Sequence, residues 1–122
     1  MSKKTLIVGA TNNPSRYAYL AAERLTRAGH EIVPIGIKKG EVLGHEILDI
    51  KTAPVLKDID TITMYIGPQH QPEYYDYLIG LAPKRIIFNP GTENPELAVK
   101  ASGNGIETEN SCTLVMLGSG VY

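Results

Sequence analysis

Four short runs rich in isoleucine and valine, at residues 5–8, 32–35, 61–66 and 85–88, recur along the chain, and helix-patterned segments separate several of them. Strands of a parallel sheet are buried on both faces and read as continuous apolar runs. Parallel neighbours also need long crossovers, usually helical. The pattern therefore implies an α/β fold, a three-layer α/β/α sandwich around a mainly parallel sheet of about five strands. With 122 residues, 43% hydrophobic and 20% charged, the chain suffices for one such core and not for two. Residues 1–122 read as a single domain.

The first helix is expected over residues 14–28. Ala18, Ala21, Leu25 and Ala28 share one face, Glu23, Arg24 and Arg27 lie elsewhere, and Gly29 can end it. A second helix is expected from about Pro72 to just before Pro83, with Tyr74, Leu78 and Leu81 inward. A third runs from Asn94-Pro95 to about Gly103. Residues 39–57 show no clear period, their Gly40, Gly44 and Pro54 favouring loops, and residues 56–59 read as one helical turn.

In a sheet of this kind ligands bind beyond the carboxyl ends of the strands, where strand order reverses. Four polar or glycine-rich segments fall there: 9–16, 36–40, 67–71 and 89–94. The first is the most informative. Gly9 permits a sharp turn out of the strand, Asn13 can cap the helix, and Pro14 suits the first helical position. A helix N-terminus with free amides favours phosphate, and Arg16 adds a cation able to grip phosphate oxygens in bidentate fashion. The same residues also serve as a plain strand-to-helix connection. Their conjunction at the ligand edge favours phosphate binding.

A dinucleotide site would normally show G-x-G-x-x-G in this turn and an acid at the end of the second strand. The turn instead reads Gly9-Ala10-Thr11-Asn12-Asn13-Pro14, and the second strand ends in the basic pair Lys38-Lys39. A phosphorylated ribose fits these lysines, which leaves NADP or coenzyme A. Solvated charges on a surface loop would look the same. Little chain remains for the second half that hydride transfer needs, so coenzyme A is preferred to NADP.

GATNNPSRYAYLAAERLTRAGHEIVPI at 9–35, EVLG at 41–44, NPGTENPEL at 89–97 and CTLVML at 112–117 together resemble the small, single-domain CoA-binding protein family. These proteins are similar in fold to the CoA-binding N-terminal domain of the succinyl-CoA synthetase α subunit. The resemblance covers nearly the whole chain. It implies a Rossmann-like domain in which Thr11, Asn12, Asn13, Ser15 and Arg16, following Gly9, hold the CoA phosphates. The loop after the second strand, with Lys38 and Lys39, would lie near the adenosine. The loops after the third and fourth strands, the latter with Asn89, Pro90 and Gly91, would border the ligand. Related chains often close the second strand with Asn-Pro, where this one has Ile35-Gly36-Ile37-Lys38. The implied role is a binding or regulatory module for CoA or an acyl-CoA.

Two other residues have open roles. Asn110 or Ser111 can cap a short last helix through 113–117, which would put Cys112 in its first turn, where the helix dipole favours thiolate. There it would be a candidate for a mixed disulfide with the CoA thiol. Free cysteine is also among the most buried residue types, which makes a packed thiol the simpler reading. His70 lies at the ligand edge and reads either as a ligand contact or as an ordinary polar loop residue. No catalytic constellation accompanies either residue. A small enzyme working on the acyl end of CoA through His70 or Cys112 is one alternative. An NADP-binding sensor or oligomeric reductase is another.

A net charge of −1, without blocks of like charge, argues against nucleic acid and anionic membranes as partners. No apolar run approaches the ~20 residues of a membrane span, no Cys/His spacing suggests a metal site, and Met1-Ser2-Lys3-Lys4 opens without a signal-peptide pattern. With one cysteine, these features read as a cytoplasmic protein with a small-molecule nucleotide ligand. Its seven tyrosines leave self-association into a homo-oligomer open.

Overall fold

The computed structural model describes residues 2–122, so Met1, the first residue of the expected domain, lies outside the described residues. The elements in order are β1 (Thr5–Val8), α1 (Tyr17–Arg27), β2 (Ile32–Gly36), β3 (Glu41–Val42), β4 (His45–Glu46), β5 (Leu48–Asp49), β6 (Thr61–Met64), α2 (Tyr75–Gly80), β7 (Arg85–Phe88), α3 (Pro95–Ser102), β8 (Glu107–Asn110) and α4 (Thr113–Gly118). Six strands form one parallel sheet in the order β5-β2-β1-β6-β7-β8, with β3 and β4 as a separate antiparallel hairpin. The fold is α/β and Rossmann-like. Strand order reverses between β1 and β6, which sets a crevice at their carboxyl ends.

The central strands β1, β6 and β7 are buried at every position, as the apolar runs require. Leu6, Val8, Ile62, Met64, Ile86 and Phe88 pack on one face of the sheet against Tyr74, Leu78, Leu97 and Ala101. Ile7 and Ile32 pack on the other face with Ala18, Ala22 and Leu25 of α1 and Val42 of the hairpin. Burying a leucine or isoleucine side chain contributes about 1.5–3 kcal/mol, so these two layers supply the bulk of the driving force. The helix α1 ends as expected: Gly29 adopts φ +88°, and His30 N–H donates to Leu25 O (3.0 Å) while Gly29 N–H donates to Thr26 O (3.0 Å).

Several expectations are corrected. The helix α1 starts at Tyr17 rather than Pro14, because Asn13 caps a turn instead of the helix. Its Oδ1 accepts from Ser15 N–H (3.0 Å) and Ser15 Oγ–H (2.8 Å), and Arg16 N–H donates to Asn13 O (3.1 Å). Asn followed by Pro suits the first two positions of a turn, and the turn leaves Arg16 extended as the N-cap. The second helix, expected from about Pro72, opens as a 3₁₀ turn at Pro72–Tyr74 before α2 begins, and a separate 3₁₀ turn, Pro68–His70, precedes it. Residues 56–59 are not a helical turn; Asp58 has φ +59°, and the 3₁₀ turn lies at Ile50–Thr52, where Asp49 accepts from Lys51 N–H at 2.9 Å. In α4, Cys112 is the N-cap rather than a first-turn residue, with no side-chain cap of its own. Asn89 reaches across from β7 and accepts from Thr113 N–H at 2.9 Å.

Candidate functional site

Gly9 is where the crevice begins. Its φ is +94°, and a Cβ there would stand 2.8 Å from Ile66 Cγ2 and 3.0 Å from the Tyr65 carbonyl carbon. Both Gly9 N–H and Ala10 N–H donate to Ile35 O (3.0 and 3.1 Å), which pins the turn to the end of β2. The chain then passes the buried Thr11, whose Oγ1 accepts from Asn13 N–H (3.2 Å), and reaches α1, whose first turn has no capping side chain and no acidic residue. Uncapped amides at the start of an 11-residue helix carry partial positive charge outward.

A cleft of about 630 Å³ opens on this turn. One wall is Gly9, Thr11, Ser15, Arg16 and Tyr17; the side toward β2 and β5 is Gly36, Ile37, Lys38, Ile50 and Lys51. The side toward β6 and β7 is Tyr65, Ile66, His70, Pro90 and Thr92, with Glu73 and Tyr74 also bordering the space. Arg16, Lys38 and Lys51 face one acidic residue, Glu73, so the cleft favours a polyanion. Tyr17 and Ile37, on different sides of the cleft, are 71% and 69% exposed. Burial pushes the Tyr65 phenol up to about 12, against the hydrogen bonding of Thr63 and Thr113 that lowers it, so this hydroxyl stays protonated at neutral pH.

Of the residues singled out from sequence, Gly9, Thr11, Ser15, Arg16, Lys38, His70 and Pro90 border the cleft. Asn12, Asn13, Lys39, Asn89, Gly91 and Cys112 stand outside its lining. Asn12 lies under the loop before β3, its Nδ2 only 2.8 Å from where a Gly40 Cβ would be. Asn89 is 3% exposed and fully engaged, donating to Thr63 Oγ1 (2.7 Å) and Met64 O (2.9 Å) besides holding Thr113. Gly91 N–H is taken by Glu93 Oε1 at 2.8 Å. Cys112 is half-buried. Lys51, Glu73 and Tyr65 were missed, whereas Thr92 falls within the 89–94 segment expected at the ligand edge. For Lys51 a signal existed: Asp49 two residues ahead is a turn cap, which places the lysine at the rim of an edge strand.

A family model described as CoA binding domain matches residues 3–118. The chain belongs to this family. Its CoA-binding domain therefore takes a small-molecule ligand, and among the described residues no helix is long and apolar enough to cross a membrane. A crystal structure of an uncharacterized protein is 56% identical, covering 100% of this chain and 99% of that one at a TM-score of 0.97. A hypothetical protein from Pyrococcus horikoshii OT3 is 26% identical over 97% of this chain and 83% of that one, with a TM-score of 0.87. The dinucleotide forming acetyl-coenzyme A synthetase 1 of Candidatus Korarchaeum cryptofilum shares the fold over 87% of this chain and 25% of its own, at 18% identity and a TM-score of 0.70. Among curated proteins none matches the chain.

Proposed function

We propose that this single-domain protein binds coenzyme A or an acyl-CoA in the cleft at the carboxyl ends of β1, β2, β6 and β7, as a binding or regulatory module. The observation that carries this reading is the uncapped start of α1, with Arg16 beside it, opening into a cleft whose opposite rim holds Lys38 and Lys51. The diphosphate sits at the helix N-terminus, where free amides and Arg16 meet it. The 3′-phosphate lies toward Lys38 and Lys51, with the adenine against Ile37. The pantetheine arm runs the other way, along Tyr65, Ile66, Pro90 and Thr92, a wall that is neutral and mixes apolar surface with hydroxyls. That wall suits a chain of methylenes and amides. His70 and Glu73 stand at the rim of the cleft, available to an acyl group.

Calorimetric titration with CoA, dephospho-CoA, NADP and NAD at one fixed salt concentration tests the proposal. CoA is expected to bind tightest and dephospho-CoA to bind more weakly. Binding of NADP alone, or of none of the four, refutes it.

A further inference from the structure

Behind the cleft wall formed by β6 and β7 lies a buried chain of hydrogen-bonded polar side chains. Gln71 is fully buried, and its Nε2 donates to two carbonyls, Ile66 O and Thr92 O, each at 2.9 Å. Its Oε1 accepts from Asn94 Nδ2 at 2.9 Å. Asn94 Nδ2 also donates to the Tyr75 hydroxyl (2.8 Å), and its Oδ1 accepts from Leu97 N–H (3.1 Å), so the same residue caps α3. Thr92 Oγ1 donates back to Asn89 O at 2.8 Å.

Gln71 does not border the cleft, yet the two carbonyls it holds belong to Ile66 and Thr92, which do. These residues come from different loops, one after β6 and one after β7, separated by the whole α2 crossover. The amide is thus a tie across the mouth of the sheet. A buried glutamine is costly unless its donors and acceptor are all met, and here the tie meets them. Core packing alone would be served as well by a leucine or methionine of similar volume.

We propose, building on the CoA reading above, that Gln71 is a positioning residue for the pantetheine half of the ligand. It holds the loops after β6 and β7 at one fixed separation, so the arm meets a rigid groove and the nucleotide half does not depend on it. The distinction between the halves follows from the layout. The phosphate-binding turn and the lysine rim are held by hydrogen bonds to Ile35 O and Asp49 that do not involve Gln71, and where Gly9 comes close to Ile66 it faces the Cγ2 methyl and not the carbonyl that Gln71 holds.

The test compares CoA with adenosine 3′,5′-bisphosphate, its nucleotide fragment, on the wild-type chain and on Gln71→Leu and Gln71→Glu, with folding checked by circular dichroism. Both variants are expected to lose at least tenfold in CoA affinity while the bisphosphate changes less than twofold. Equal losses for both ligands would mean a general structural role and overturn the proposal, as would an unchanged CoA affinity. Hydrogen exchange on the wild-type chain gives a readout that does not depend on the variants folding. CoA is expected to slow exchange in residues 66–71 and 90–94, and the bisphosphate is not; identical protection by both ligands overturns the proposal. A wild-type chain that binds the bisphosphate but gains nothing from the arm overturns the positioning role alone. One that binds neither overturns the CoA reading and the positioning role with it.

Discussion

Replacing Gly9 by alanine gives the sharpest test of the site's construction. Two costs add. The first is conformational: at φ +94° an L-residue pays about 1–2 kcal/mol against Cβ–backbone crowding. The second is steric, because the new Cβ lies 2.8 Å from Ile66 Cγ2 and 3.0 and 3.2 Å from the carbonyl carbon and oxygen of Tyr65. Ile66 Cγ2 is on a side chain that can turn. The Tyr65 carbonyl is backbone leaving β6 and must move, a local overpacking of about 1–3 kcal/mol. The sum is about 2–5 kcal/mol, which for a chain of this size lowers Tm by roughly 8–20 °C. Gly29→Ala isolates the first cost, since Gly29 has φ +88° with nothing within 4 Å of a built Cβ. It is expected to lose about 1–2 kcal/mol. Urea unfolding with a constant m-value measures both variants. Equal losses in the two would refute the claim that β1 and the β6 loop meet too closely for a methyl group.

Four further outcomes are expected. Arg16→Ala weakens CoA binding by about 1.5–3 kcal/mol, the usual worth of a hydrogen bond to a charged group; unchanged affinity in calorimetry would remove Arg16 from the phosphates. Lys51→Ala weakens CoA by roughly tenfold and dephospho-CoA much less; equal weakening would place the 3′-phosphate elsewhere. Burial, with Lys3 adding to it, holds the His30 imidazole below its ordinary 6.5, so its contribution to stability is full above that pH and is lost as pH falls through the folded value. Urea midpoints should decline on the acid side of 6.5, and His30→Gln should flatten that decline. Tyr65 runs the opposite way: with the phenol raised from 10.0 to about 12, its contribution is complete below 10 and is lost as pH rises toward 12. Phenolate absorbance should show a late-titrating tyrosine that Tyr65→Phe removes.

The parts of the fold legible in sequence are those whose burial is complete. Residues 85–88 are a strand at the expected bounds because every side chain in β7 is buried, and α3 follows its Asn94-Pro95 start because the cap and the proline act within one turn. The edges of the sheet were not legible. The strand β8 reads Glu-Thr-Glu-Asn with its ends exposed, a composition that keeps an edge from pairing with other chains and also erases the apolar signal. At the opposite edge β5 is two residues long, held by parallel pairing of Leu48 and Asp49 with Ile35 and Gly36. Neither leaves a period to read.

The site divides along the same physical line. The turn at Gly9 was legible because glycine, asparagine and proline each enforce a local geometry within a few residues, although the asparagine spends its side chain on Ser15 and not on the helix. Lys51 enters the cleft because β5 pairs with β2, and Thr92 because β7 pairs with β6, where Gln71 is hydrogen-bonded to both following loops. Those contacts join residues far apart in the chain, and no periodicity encodes them. Asn89 is the instructive case. Its place at the carboxyl end of β7 marks it as a ligand contact, yet three hydrogen bonds to Thr63, Met64 and Thr113 take up its amide. A polar residue at the mouth of a parallel sheet has two uses, to meet the ligand or to fasten the loops that do. Asn89 and Gln71 are of the second kind, and only their partners reveal it.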